Sequence, residues 1–476
     1  MIDIPTIPWC ALAPELAVAT WILLLLVATL CVPAHRQSVL SHLAVLGIVV
    51  AAGLLVWASQ HPSASGGTAM LSLDRFGGYF KGLLLLATAV VIVMTRLPRQ
   101  LLTHVGAFYL LLYTALLGAL ILVSVNNLLL LFLGLELLTF SLYIMAAYVK
   151  TDPRSVEAGM KYLILGSVSS GFLIYGIALL YGMAGTITFT GVRAAFANTQ
   201  PTPVAGQVGL YLILAGLGFK VAAVPFQLWV PDVYEGAPTP VVAMLSVGSK
   251  MAGVVAMLRL LDGLVAPVQW VWTPVLAVIS AATMLYGNLG AIPQTNIKRL
   301  LGYSSIGHAG YLLMGIATAT PESAAAISYY LLAYLCSNLA VFLVVVIVGG
   351  ATGSDSLDEY RGLSRRSPGL AAAMFIALLS LAGVPPLAGF VGKLLVLLSA
   401  VKGQRLWLVA IGAVNVAISL YYYLTVVKRM YLEAPNTSSS IRITPLAAAT
   451  LAALVLGIVV VGVYQQPFLA YIRSTL

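Results

Sequence analysis

The chain has 476 residues, 61% of them hydrophobic and only 8% charged, with 24 basic against 14 acidic side chains and a formal net charge of +10. An ordinary soluble domain is about 25% charged and roughly 45–50% apolar, so a soluble fold is excluded. The three cysteines, Cys10, Cys31 and Cys336, have no CxxC spacing, which argues against a disulfide framework, haem attachment or a metal site.

A bilayer-spanning helix takes about 20 mostly apolar residues. Fourteen such stretches follow one another at 11–32, 39–58, 77–95, 105–124, 127–148, 157–182, 207–230, 238–262, 270–291, 300–317, 323–349, 368–400, 405–428 and 445–465. They are continuous apolar runs without the period-2 alternation of a membrane barrel, which predicts an all-α polytopic membrane protein. The first stretch has no basic region before it and carries Glu15 near its start, so it is expected to be retained as a helix.

Basic residues sort by loop. With an outer N-terminus, thirteen fall in inner loops (Arg36, Arg96, Arg99, Lys150, Arg154, Lys298, Arg299, Arg361, Arg365, Arg366, Lys428, Arg429, Arg442) and five on the outer side (Arg75, Arg193, Lys402, Arg405, Arg473). That asymmetry follows the positive-inside rule, and an even number of spans puts both termini on the outer, periplasmic side. The excess charge is thereby read as membrane topology and not as a nucleic-acid surface.

Six basic residues remain inside spans: Lys81, Lys161, Lys220, Lys250, Arg259 and Lys393. Lys81 and Arg259 lie close to span ends, where long side chains are expected to snorkel to the headgroups. Glu136, Lys220 and Lys250 lie far enough in, at about 1.5 Å per residue, to be near mid-membrane. A charge there costs about 2.5–3.5 kcal/mol, so Lys161, Lys220, Lys250, Lys393 and Glu136 together cost on the order of 12–18 kcal/mol unless paired or hydrated. Two readings follow: static buried ion pairs, or a relay in which making and breaking a pair moves a lysine between protonation states. One acid against several lysines neutralises only part of the set. Lys161 follows Glu157 by four residues on one helix face, which suits a structural pair and a relay equally. His308, within Ser304-Ser305-Ile306-Gly307-His308, is either a proton carrier or a donor to a backbone carbonyl.

Two spans carry deep prolines, Lys220-Val-Ala-Ala-Val-Pro225-Phe-Gln227-Leu-Trp229 and Gly383-Val-Pro385-Pro386-Leu-Ala-Gly389-Phe-Val-Gly392-Lys393. Proline frees a carbonyl, which is tolerated where protein or internal water satisfies it, so discontinuous helices 7 and 12 are expected. Glu136 to Lys220 is 84 residues and His308 to Lys393 is 85, and Pro225 and Pro386 lie 161 apart. The spacing implies two five-helix repeats, spans 4–8 and 9–13, the second inverted because each holds an odd number of spans. The organisation expected is an N-terminal three-helix segment (1–104), the two repeats (105–262 and 263–431) and a C-terminal helix (432–476).

With these residues assembled, the chain resembles, over essentially its whole length, the antiporter-like subunits of respiratory complex I, the proton-pumping NADH:quinone oxidoreductase of bacteria. The resemblance is carried by Gly218-Phe-Lys220 through Pro240, by Asn296-Ile-Lys298-Arg299-Leu-Leu-Gly-Tyr303-Ser304-Ser305-Ile-Gly-His308, and by the Gly383–Lys393 motif. Gln227 where siblings carry histidine, the Val233–Pro240 stretch, and the lack of a lateral helix after span 14 point to one branch of that family. The resemblance implies that Glu136 and Lys220 form a gating ion pair and that Lys250 is the central relay. It also implies that His308 bridges onward through water and that Lys393 faces the exit. Lys161 joins this set provisionally. It further implies a subunit that binds no redox cofactor, while NADH, FMN, iron–sulfur clusters and quinone are used by other subunits, its partners in a membrane arm within the bacterial plasma membrane.

The alternatives are a subunit of a multi-subunit cation/proton antiporter, an inert structural subunit, and a quinone-binding subunit with a pocket near His308. One intramembrane carboxylate is a poor oxygen cage for Na⁺, which favours H⁺.

Overall fold

The computed structural model describes residues 9–33, 38–60, 70–97, 104–199, 203–435 and 439–476. Arg36 and Arg99, assigned above to inner loops, lie outside the described residues. The first half comprises α1 (Ala13–Cys31), α2 (Ser38–Ser59), α3 (Arg75–Thr95), α4 (Val105–Leu122), α5 (Leu128–Ala146), α6 (Pro153–Ala184), α7 (Phe189–Asn198), α8 (Val204–Val221), α9 (Trp229–Gly236), α10 (Thr239–Met244) and α11 (Lys250–Gly263). The second comprises α12 (Gln269–Ala291), α13 (Ile297–Thr318), α14 (Ser323–Thr352), α15 (Leu363–Arg366), α16 (Pro368–Ala382), α17 (Ala388–Lys402), α18 (Leu406–Leu432), α19 (Pro445–Val463) and α20 (Gln465–Thr475).

Among the described residues, twelve segments are long and apolar enough to cross a membrane, α10 and α11 counting as one. The less apolar α13 and the broken pair α16–α17 complete the fourteen spans. The sequence reading missed α7 and α20, which at ten and eleven residues are too short to stand out as spans.

The repeat is visible in helix caps. Asn127 caps α5 by accepting the amides of Leu129 and Leu130, and Asn296 caps α13 by accepting those of Lys298 and Arg299. Each asparagine forms an isolated bridge, Asn127 to Thr188 and Asn296 to Ser356. Both bridge partners stand three residues after a left-handed glycine, Gly185 (φ 66°) or Gly353 (φ 75°), that ends a long helix, α6 or α14. Asn296, Ser356 and Asp355 line one cavity together with Asp152 and Arg154, at the start of α6. Thr188 follows the far end of α6, so the same motif sits at opposite faces of the protein, as an inverted repeat requires.

The helix breaks match too. Ala222 (φ 68°) and Gly383 (φ 89°) each precede a cis proline, Pro225 or Pro386, by three residues. Freed groups find partners: Trp229 Nε1 donates to Phe219 O at 3.1 Å, and the Val224 amide donates to Thr283 Oγ1 at 3.0 Å. The α10–α11 segment and α14 are buried over their most apolar stretches and form the centre. Helices such as α1 and α6 present Leu23, Leu24, Ile164 and Val168 outward, as lipid- or neighbour-facing surfaces do.

Two edge residues depart from expectation. Lys81 does not snorkel: it is 4% exposed, with Nζ 2.6 Å from Glu15 Oε1 on α1. Arg259 does sit near a helix end but is held there, its guanidinium bonding both oxygens of Asp74 at 2.6 and 2.9 Å and its Nε bonding Val123 O at 2.6 Å. Burial alone pushes the Asp74 carboxyl up, but the bonds and charge of Arg259 outweigh it and hold Asp74 below the ordinary carboxylate value.

Candidate functional site

Lys220 is the penultimate residue of α8, directly before the first break, and is 2% exposed. Its ammonium donates to Thr139 Oγ1 at 2.9 Å and to Tyr162 OH at 3.3 Å. Among the described residues no carboxylate lies within 4.0 Å of it. Glu136 is half-buried on α5, three residues before Thr139, and accepts a hydrogen bond from Ser170 of α6. The expected Glu136–Lys220 pair is therefore not in direct contact: Lys220 rests on the hydroxyls of Thr139 and Tyr162, and Glu136 on that of Ser170. Tyr162 stacks on Trp229, with centroids 4.4 Å apart, so the break itself packs against a ligand of Lys220.

Lys250 opens α11 and is 2% exposed. Its Nζ donates to the carbonyl and hydroxyl oxygens of Ser305 on α13 and lies 5.6 Å from the ring centre of Tyr334. Ser305 Oγ is further bonded to Tyr234 OH at 3.0 Å and Tyr334 OH at 3.2 Å. One turn beyond Lys250, Gly253 approaches the Lys220 stem so closely that a Cβ there would lie 3.2 Å from Lys220 Cγ.

His308, 5% exposed, is bonded on both ring nitrogens: Nδ1 to Tyr330 OH at 2.6 Å and Nε2 to Tyr423 OH at 3.2 Å. Tyr423 also bonds Ser304, the neighbour of Ser305. Neither bond is to a backbone carbonyl, so the histidine joins two phenols. Tyr330 stacks near Tyr311, at 6.4 Å between centroids, and the Tyr311 ring lies 5.2 Å from Lys393 Nζ.

Lys393 sits on α17, just past the second break, and is 4% exposed. Its Nζ donates to Ala382 O at 2.9 Å, a carbonyl at the broken end of α16, and to Ser419 Oγ at 3.4 Å. Gly383 lets the lysine pass: a Cβ there would stand 2.9 Å from Lys393 Cδ, on a backbone already at φ 89°.

Lys161 lies apart. Its side chain is 43% exposed and bridges Glu157 at 2.8 Å and Asp232 of α9 at 2.7 Å. Asp232 is shared with Arg299 of α13, which also reaches Glu235 at 3.0 Å. The structure thus joins Lys220, Lys250, His308 and Lys393 through hydroxyls and aromatic rings, and puts Lys161 in a charged cluster of its own. Sequence reasoning missed Thr139, Tyr162, Tyr234, Tyr330, Tyr334 and Tyr423.

The chain matches the family described as NADH:quinone oxidoreductase/Mrp antiporter, transmembrane, over residues 125–419. NADH-quinone oxidoreductase subunit N of Desulforamulus reducens is 40% identical over 456 residues, covering 95% of this chain and 94% of the relative. A chain of respiratory complex I from Thermus thermophilus with bound aureothin superposes with a TM-score of 0.83 at 30% identity, over 96% of this chain and 98% of that one. A chain of the Mrp complex from Dietzia sp. shares the fold, with a TM-score of 0.85 at 21% identity over 98% and 96% of the two chains.

Proposed function

Because the chain belongs to the NADH:quinone oxidoreductase/Mrp antiporter membrane family, we propose that it is a proton-translocating membrane-arm subunit of an NADH:quinone oxidoreductase. The observation that carries this reading is the partner set of Lys220, Lys250 and Lys393. Each is buried, and each ammonium is held by neutral hydroxyl or carbonyl groups. A carboxylate partner would lock a lysine in its charged form, whereas a hydroxyl both donates and accepts and so solvates ammonium and amine alike. His308, bonded between two phenols, adds an imidazole whose two ring nitrogens can each donate or accept a proton.

Protons pass along Glu136, Lys220, Lys250, His308 and Lys393, with Thr139, Ser305, Tyr330 and Tyr423 as intervening hydroxyls. The two helix breaks give Lys220 and Lys393 a backbone able to rearrange. Electron transfer from NADH through FMN and iron–sulfur clusters to quinone takes place in other subunits and drives these rearrangements. The chain itself contributes no redox centre. Its basic end, which includes Lys298, faces the cytoplasm and both termini face the periplasm of a bacterial inner membrane. The D. reducens relative favours this reading over a cation/proton antiporter subunit, since the likeness to the Mrp complex is one of fold alone.

The test is Lys220→Ala in the assembled complex. NADH-driven proton pumping should drop about 10²-fold or more, the lower end of the range for a positioned proton-transfer group. Pumping at the wild-type rate would refute the relay role. Lys161 is assigned the role of tethering α9 to α6. Lys161→Ala should lower pumping by no more than about fivefold, equivalent to about 1 kcal/mol, because Arg299 still holds Asp232. The same pumping assay measures it, and a loss as deep as that of Lys220→Ala would return Lys161 to the relay.

A further inference from the structure

Span 8 is not one continuous α-helix. Between α10 and α11, Leu245–Ser249 form a π turn, and Lys250 is the next residue. A π turn closes i→i+5 bonds and so holds one residue more than an α turn. At 3.6 residues per turn, that extra residue rotates everything after it by about 100°. The direction of the Lys250 side chain therefore depends on the turn. If the turn were regularised to α geometry, Lys250 Nζ would swing away from Ser305 and Tyr334.

Nothing in Leu-Ser-Val-Gly-Ser makes a π turn intrinsically stable, so it needs support from outside. Ser246 Oγ donates to Ala243 O at 2.9 Å, and Asn338 Nδ2 donates to Ser246 Oγ at 2.7 Å. Ser246 is 0% and Asn338 3% exposed, so the amide is not competing with bulk water. Asn338 lies on α14 four residues after Tyr334 and eight after Tyr330, which puts the three on one helix face. That face meets His308 through Tyr330, Ser305 and Lys250 through Tyr334, and the π turn through Asn338. One buried helix thus holds both the partners of Lys250 and the turn that aims it at them.

We propose that Asn338 is a positioning residue: through Ser246 it holds the π turn that directs Lys250 onto Ser305 and Tyr334. The functional consequence rests on the relay reading, whereas the geometry can be tested by itself. In the full complex, with Cys10, Cys31 and Cys336 each changed to Ala and carrying Lys250→Cys with Ser305→Cys, a short bis-methanethiosulfonate reagent should cross-link the pair. Adding Asn338→Leu should lower the yield at least fivefold, and Ser246→Ala, a milder change, should act in the same direction.

In the otherwise native chain, Asn338→Leu should reduce NADH-driven pumping about tenfold and displace its pH profile, while Asn338→Gln, which keeps the amide donor, should recover most of both. The double variant with Ser246→Ala should be no worse than Asn338→Leu alone. Cross-linking unchanged by Asn338→Leu would overturn the proposal whatever pumping does. If Asn338→Leu does not accumulate, unchanged cross-linking in Ser246→Ala overturns it instead. Pumping that survives Lys250→Met would overturn the relay reading and leave the cross-linking result standing.

Discussion

Lys250→Met should lower NADH-driven proton pumping by roughly 10²–10⁴-fold in complex that still assembles, the range expected when a positioned proton-transfer group is removed. Lys250 is the residue on which the two halves of the line converge. Its α11 neighbour Gly253 packs on the stem of Lys220, and its own ammonium meets Ser305, beside the Ser304 that bonds Tyr423 and so reaches His308. Methionine is one heavy atom shorter but fills nearly the same volume, so the core around the π turn is not hollowed out. The pocket loses one charge that had been held only by a serine and a ring face, and Ser305 keeps its bonds to Tyr234 and Tyr334. Stability should change little or rise. A purely structural lysine predicts the reverse pattern, with less assembled complex and unaltered pumping per complex. Measuring NADH-driven acidification in inverted membrane vesicles, normalised to the amount of assembled complex, separates the two.

What could be read from the sequence was whatever hydrophobic length and proline chemistry encode. The spans, the breaks at Pro225 and Pro386 and the lysines beside them are local features, and the structure keeps them. The inverted repeat left a faint spacing signal. Its clearer mark, Asn127 with Thr188 and Asn296 with Ser356, was there as two N-cap residues with no hint of which bridge they would form.

Other features were hidden for physical reasons. Leu245–Ser249 reads as an uninterrupted helix, because a π turn is imposed by a partner 92 residues away and not by its own composition. The tyrosines that connect the line are a few among 23, unremarkable until α14 sets Tyr330 and Tyr334 on one face and the fold brings Tyr162, Tyr234 and Tyr423 to the lysines and His308. The Glu136–Lys220 pair was implied by the family resemblance, and nothing local in the sequence marks Thr139 and Tyr162 as the groups that Lys220 meets. Lys81 departs for the complementary reason: it is near a span end, but its ammonium is buried against the carboxylate of Glu15 on α1, a partner that span position does not reveal.

That pair supplies the sharpest contrast with the relay lysines. Lys81 and Glu15 are 4% and 7% exposed and 2.6 Å apart, so each is the other's compensation for leaving water. Removing one member strands the other, and losses of about 3–5 kcal/mol are expected when a buried pair is broken this way. Lys81→Met should therefore greatly reduce the amount of assembled subunit and its resistance to thermal unfolding in detergent. Glu15→Gln combined with Lys81→Met should recover most of the loss, since replacing both members removes the uncompensated charge. Proton pumping per assembled complex should be the same in the double variant as in the wild type. Burial is nearly equal for Lys81 and Lys250, at 4% and 2% exposed, so burial cannot be what distinguishes a structural lysine from a conducting one. The partner distinguishes them: a carboxylate fixes the charge of Lys81, while a serine hydroxyl and an aromatic face leave Lys250 free to change its own. If the double variant lost pumping in step with Lys250→Met, this distinction by partner would fail, and the N-terminal helices would belong to the conducting path.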